Sequence, residues 1–252
     1  MTIGRSKPVP DAGTSGRRLV LVLDSATTRL VAALAEAATA PGAAADGRLL
    51  AVRAEPSGYR HGELLLPLVE RLLEGAGRSK ADIGGVVVGT GPGAFTGLRV
   101  GLATAAGIAR ALRCPLAGVP TSEAIIAAAA EDAGCPISDV VLLLPAGPND
   151  RIVARAGRPA VLLPAGREPE LDDGAILVAV DLPGRAPEAA LERGVRATAP
   201  ERLATILFRL GRAGLGARPS TRDGHPFVPE PEYVTLPRGL AAVRGEVRLV
   251  RA

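Results

Sequence analysis

The stretch Gly89-Thr90-Gly91-Pro92-Gly93-Ala94-Phe95-Thr96-Gly97-Leu98-Arg99-Val100-Gly101 has the residue types of an anion cradle. It follows the β-branched run Val86-Val87-Val88 and leads into Leu102-Ala103-Thr104-Ala105-Ala106-Gly107-Ile108-Ala109-Arg110-Ala111-Leu112. It therefore reads as a turn between a buried strand and a helix. Such a turn aims backbone N–H groups and the positive end of a helix dipole at one point, where a phosphate or carboxylate could sit. Gly91, Gly93, Phe95, Thr96, Gly97 and Arg99 are the candidate anion-binding residues. The spacing matches neither GxxxxGK(S/T) nor GxGxxG. The alternative is that the glycines only allow a tight turn and close helix packing, with one of the two flanking Pro92 at positive φ.

Other chemistry is sparse. His61 and His225 are the only histidines, and position i+4 from His61 is Leu65, so no metal centre is expected. No G-x-S-x-G occurs, which excludes a serine elbow. Cys114 and Cys135 each precede a proline and are too few for a disulfide framework or a zinc site. No cofactor is implied.

The composition narrows the class further. A chain of 252 residues suffices for one large domain or two lobes. Hydrophobic residues make up 47% and aromatics 2%, so the core must be built from Ala, Val and Leu by close approach of small side chains. Lys and Arg number 30 against 26 Asp and Glu, a net charge of +4. With no basic run interleaved with aromatics, a dedicated nucleic-acid surface is not indicated. Residues 1–18 are rich in Pro, Gly, Ser and Arg and read as a disordered leader without a signal-peptide core. No uncharged apolar run approaches the ~20 residues of a membrane span, so a cytoplasmic protein is expected.

The elements that must position these residues are legible from periodicity. Leu19–Leu23, Leu30–Leu34 and Arg48–Ala54 read as a three-strand antiparallel meander. A helix over Gly62–Leu73 ends at Gly75-Ala76-Gly77, and Ser79–Ile83 reads as a capped single turn. Strand Gly85–Gly89, helix Thr96–Leu112 and strand Leu116–Val119 form a β-α-β unit. Beyond Pro120 a helix over Thr121–Ala133, capped by Thr121 or Ser122, precedes strands at Val140–Leu144, Arg151–Ala156, Ala160–Leu163 and Ile176–Val180. A helix over Pro200–Gly211 follows, and Thr221–Val234 reads as a Pro-rich extended tail. The order is that of a ribonuclease-H-like lobe.

Five segments together resemble one family. These are the glycine stretch, Leu19-Val20-Leu21-Val22-Leu23-Asp24-Ser25-Ala26-Thr27-Thr28, His61-Gly62-Glu63-Leu64-Leu65-Leu66-Pro67-Leu68-Val69, Ala117-Gly118-Val119-Pro120-Thr121-Ser122, and the tail Pro231-Glu232-Tyr233-Val234. They are similar to the signatures of the bacterial TsaB (YeaZ) family, densely from Leu19 to about Ile126. The resemblance implies an α/β, actin-like ATPase (ASKHA, ribonuclease-H-like) two-lobe fold. Its first lobe would span residues 19–119 and be joined by a helix at 200–216. The second, smaller lobe would span 120–199, and the tail 217–252. It also implies a non-catalytic role in making threonylcarbamoyladenosine next to the tRNA anticodon. Asp24 and Thr27 occupy a vestigial phosphate hairpin: no glycine lies between Asp24 and Leu30, and Thr27 and Thr28 are β-branched. Local hydrogen bonds that close the turn are the expected use of Asp24 and Thr27. An actin-like-fold ATPase or small-molecule kinase is the alternative. Pro145-Ala146-Gly147 stands where the family usually has Asp-Ala-Arg, unless Asp150 and Arg151 supply a shifted version.

The resemblance also implies partners. The equivalent helix pair would form a four-helix bundle with a TsaD-like catalytic subunit, or with a second copy when alone. A TsaE-like ATPase would sit at the dimer junction, any tRNA contact would be indirect or weak, and no membrane is involved. The expected interface residues are Leu65, Val69, Leu72, Leu73, Leu102, Ala105, Ala106 and Ala109, because both helices are apolar nearly all round.

Overall fold

The computed structural model describes residues 17–38, 47–58 and 60–216, then 221–222, 225–226, 229–234, 240–243 and 246–249. Most of the expected leader and much of the tail lie outside the described residues. The apolar runs become strands β1 (Arg17–Asp24), β2 (Arg29–Ala38) and β3 (Gly47–Pro56), paired antiparallel with Leu21 opposite Leu34. Strand β4 (Ile83–Gly89) runs parallel to β1, and β5 (Leu116–Val119) parallel to β4. The sheet order is β3-β2-β1-β4-β5.

Alternation along β1 explains why its run is apolar throughout. Leu19, Leu21 and Leu23 face one side, with α1 (His61–Gly75) and α2 (Phe95–Leu112). Val20 and Val22 face the other, with α3 (Thr121–Ala133) and α5 (Pro200–Gly211). A strand buried on both faces has no polar side to show. The single turn Lys80–Asp82 between α1 and β4 carries a capping box in which Ser79 and Asp82 satisfy each other's orphan donors.

A second sheet, in the order β8-β7-β6-β9, is built from β6 (Val140–Ala146), β7 (Asp150–Ala154), β8 (Val161–Leu163) and β9 (Ile176–Ala179). One face of it continues the core that holds α3 and α5, through Leu142, Ile152 and Val178. Helix α3 thus packs between β6 of the second sheet and helices α4 (Glu188–Ala197) and α5, which accounts for its extensive Ala and Ile burial. Helix α5, from far along the chain, packs on the first sheet: a Cβ at Gly211 would meet the Val87 side chain. Helix α4 was not anticipated by the sequence. Its buried face is only Ala190, Gly194 and Ala197, and Gly194 lies against the Ala179 carbonyl. The segment is polar on average, its buried positions are small and its Val195 is exposed, so it lacks the bulky apolar residues that mark the other helices. Four short strands in the tail pair as two hairpins, β10 (Thr221–Arg222) with β11 (His225–Pro226) and β12 (Leu240–Val243) with β13 (Glu246–Leu249).

The helix pair corrects the expected partner face. Leu65, Val69, Leu72, Leu73, Leu102, Ala105 and Ala109 are buried against their own sheet, with Leu21, Leu34 and Val86, and only Ala106 of the eight is half-buried. The reason is the sheet's width: it uses the richer apolar side of each helix. The side turned out carries Leu66, 51% exposed, with Ala103 and Gly107 also exposed. A carboxylate placed at Val69, 4% exposed, would be buried and unpaired, a cost of several kcal/mol. Val69→Glu should therefore remove the cooperative thermal transition of the isolated chain, checked by circular dichroism melting.

Candidate functional site at the lobe junction

Asp24 ends β1 beside Gly89, the end of β4, where any Cβ would collide with its carboxylate and with Thr121 Oγ1. The carboxylate is fully buried. Thr121 Oγ1 donates to Asp24 Oδ2 at 2.6 Å, and Ala26 N donates to Oδ1 at 3.1 Å. Thr121 Oγ1 in turn accepts from Gly91 N at 3.2 Å. Thr121 thus does not cap α3; its helix starts after Pro120 with no side-chain cap, and its hydroxyl serves Asp24 instead. Thr27 Oγ1 donates to Arg29 O at 3.2 Å. Thr27 and one oxygen of Asp24 thus bond within the turn, whereas the other Asp24 oxygen takes the distant Thr121 hydroxyl.

Burial pushes the Asp24 carboxyl up to about 6, against the lowering influence of the Thr121 and Ala26 hydrogen bonds. His61 is buried at the start of α1, and desolvation holds its pKa below the ordinary histidine value. Its Nε2 lies 2.8 Å from where a Cβ on Gly97 would be.

The glycine loop is folded onto the hairpin. Gly91 has φ +98°, so the positive-φ glycine is the one before Pro92. Gly93 lies so close to the Ala26 carbonyl that a Cβ would overlap its oxygen. Ala94 N donates to that same oxygen at 3.0 Å, and Ser25 Oγ donates to Gly97 O at 2.9 Å. Close packing, the alternative weighed for these glycines, is thus realised in the geometry. Phe95 and Arg99 leave the loop for a different cluster. The Arg99 guanidinium lies 3.9 Å over the Phe95 ring and its Nε donates to Tyr233 Oη at 3.1 Å. Tyr233 belongs to a tail piece whose Glu232 N donates to Thr90 O at 2.9 Å. Thr96 is exposed at the start of α2.

In the second lobe Pro145 and Ala146 end β6 and Gly147 turns the chain. Asp150 Oδ1 accepts from Ala165 N at 2.9 Å. The buried Arg151 guanidinium donates to Arg185 O at 3.2 Å, to Glu168 Oε1 at 3.1 Å and to Arg167 O. These bonds hold second-lobe loops, so this pair does not supply a shifted acidic–basic element between the lobes. Besides Thr121 on Asp24, a second tie crosses between the lobes: Thr28, at the hairpin tip, donates to Asp181, a residue the sequence did not single out. No local signal marks a pair 153 positions apart. Among the described residues no group of three or more His, Cys, Asp or Glu side chains could hold a metal ion, and no helix is long and apolar enough to cross a membrane.

A ribonuclease-H-like first sheet covered on both faces, a second small sheet and a strand-end acid at their junction define a two-lobe actin-like α/β protein. A family model described as TsaD, tRNA N6-adenosine threonylcarbamoyltransferase, matches residues 55–163. The chain is 39% identical over 106 residues to an uncharacterized protein of Mycobacterium tuberculosis, covering 42% of this chain and 47% of that one. It is 41% identical over 61 residues to the tRNA threonylcarbamoyladenosine biosynthesis protein TsaB of Escherichia coli, covering 24% of this chain and 26% of that one. Among solved structures, YeaZ from Pseudomonas aeruginosa matches with a TM-score of 0.51 at 26% identity, covering 68% of this chain and 81% of that one. The matches to the Escherichia coli protein and to the Pseudomonas aeruginosa structure make the chain similar to the TsaB (YeaZ) family. The chain spans less than half the length of the curated relatives it matches.

Two outcomes follow from this geometry. In the unfolded chain the Asp24 carboxyl titrates near 3.8, and folding raises it. Its protonated form is therefore favoured by the fold, and stability from this group is fullest below 3.8 and lost as pH rises through about 6. Relative to Asp24→Asn, the wild-type unfolding free energy should fall across that window by on the order of 1–3 kcal/mol, measured by urea unfolding at a series of pH values. Gly93→Val should unseat the loop from Ala26 and lower the thermal midpoint strongly, whereas a solvent-facing turn would tolerate it.

Proposed function

We propose that this chain is a non-catalytic accessory subunit needed for threonylcarbamoyl transfer to N6 of the adenosine next to the tRNA anticodon. It acts by heterodimerising with a TsaD-type catalytic subunit, and pairs with itself when alone. A TsaE-like ATPase joins at the dimer junction, and tRNA contacts this subunit weakly or not at all. The observation that carries the reading is the sealed state of the strand-end acid. Asp24, the residue best placed for metal or phosphate chemistry, is fully buried and held by Thr121 and Ala26. The likeness to the Escherichia coli biosynthesis protein supplies the pathway. The match to the transferase family model supports kinship with the catalytic subunit. His61 with Leu65 at i+4 lacks the paired histidines that a metal site on α1 would need.

The outward side of α1 and α2 is the proposed docking face, with Leu66 at its centre and Ala103, Ala106 and Gly107 beside it. The small residues on α2 let a partner helix approach closely, and Leu66 offers the apolar anchor. Leu66→Glu should leave the folding free energy within about 0.5 kcal/mol. It should abolish co-purification with the TsaD-type subunit of the same cell and, with it, tRNA modification in the reconstituted assay. Normal association of folded Leu66→Glu and Ala106→Glu variants would refute this face. The isolated chain should hydrolyse ATP no faster than background; turnover that vanishes in Asp24→Ala would instead establish the ATPase or kinase alternative.

A further inference from the structure

We infer that Asp181 is a latch that ties the β1–β2 hairpin to the second lobe and fixes the spacing of the two lobes without any bound ligand. Each of its carboxylate oxygens takes one donor from a single residue. Thr28 N donates to Oδ2 at 2.8 Å, and Thr28 Oγ1 donates to Oδ1 at 2.7 Å. Thr28 has no polar group left over, because its carbonyl accepts from Ser57 N and Ser57 Oγ, both at 2.9 Å. The hairpin tip is thereby fastened on one side to the first sheet and on the other to the second lobe.

The backbone around Asp181 is arranged to present this carboxylate. Val180 and Leu182, its two neighbours, are both buried, and Val180 N donates to Leu143 O at 3.1 Å as the last bond beyond β9. Asp181 itself has φ +56°, one of two non-glycine residues in the left-handed region among the described residues. The other, Arg113, closes the C-terminus of α2 and is explained by that role. A side chain at positive φ costs about 1 kcal/mol or more and persists where the surroundings hold it. A glycine would adopt this turn freely, yet the position carries a carboxylate that two donors meet.

The consequence is mechanical. In a two-lobe protein a ligand between the lobes can set how far they stand apart. Here the hairpin amide that faces the other lobe is already filled by the protein's own anion, and charge-assisted hydrogen bonds of this kind are the stronger ones. The lobes are therefore held in one relation in the free subunit.

Amide hydrogen exchange of the full chain tests the latch. Asp181→Gly removes both acceptors while relieving the left-handed backbone, so the fold is retained and only the tie is lost. We expect exchange at the Thr28 amide to rise roughly tenfold or more, with the global unfolding midpoint unchanged or higher. Unaltered protection of that amide in Asp181→Gly would overturn the proposal. The wild-type protein gives an independent reading by nuclear magnetic resonance. The Thr28 amide should show a scalar coupling through the hydrogen bond to the Asp181 carboxyl carbon, and an amide without that coupling would overturn the proposal equally.

Discussion

The buried carboxylate of Asp24 is the constraint around which the junction is arranged. A carboxylate cut off from water needs donors, and the two it has come from its own turn and from the first residue of α3. Satisfying it requires the end of β1, the end of β4 and the start of α3 to meet at one point. Gly89 follows from that demand, since no side chain fits beside the acid. The glycine loop follows as well, because Gly91 N hydrogen-bonds to the same Thr121 hydroxyl. An acid that elsewhere could hold a metal has here become a structural keystone, and the features beside it are shaped by its burial.

Much of this was legible in the residues. The strands of the first sheet and helices α2, α3 and α5 announce themselves through long apolar runs and glycine punctuation. The closing of the Asp24 turn was readable from the lack of glycine, a purely steric argument. What failed was orientation. Leu65, Val69, Leu72 and Leu66 are all apolar positions of one helix, and only the sheet beneath decides which of them turn inward. Helix α4 was hidden because its segment is polar on average and its buried positions are only Ala and Gly, too small to stand out. Thr121 or Ser122 was expected to cap α3 because hydroxyls at helix starts usually do, but the helix has no side-chain cap and the Thr121 hydroxyl goes to the distant Asp24.

The aromatic economy of the chain gives its few rings positional weight. Two of the five Phe and Tyr side chains meet at the N-terminus of α2, with Arg99 over the Phe95 ring. Phe208 is buried on α5, over the sheet edge at Gly47. Elsewhere the core relies on Val, Leu, Ala and bare backbone in contact. Such packing tolerates little added volume, which is why so many of its glycines would collide with a neighbour if given a single methyl group.

The return of α5 to the first sheet has a bearing on synthesis. The strands that leave the ribosome first expose Val20, Val22, Val31 and Val87 on the face that α3 and α5 cover, and α5 begins only at Pro200. Until then one side of a wide, β-branched sheet has no complete cover, the kind of surface that invites association between nascent chains. The N-terminal half of this molecule cannot finish folding on its own timetable. It must wait for a helix translated some way downstream, and α3, arriving earlier, is its only interim shelter among the described elements.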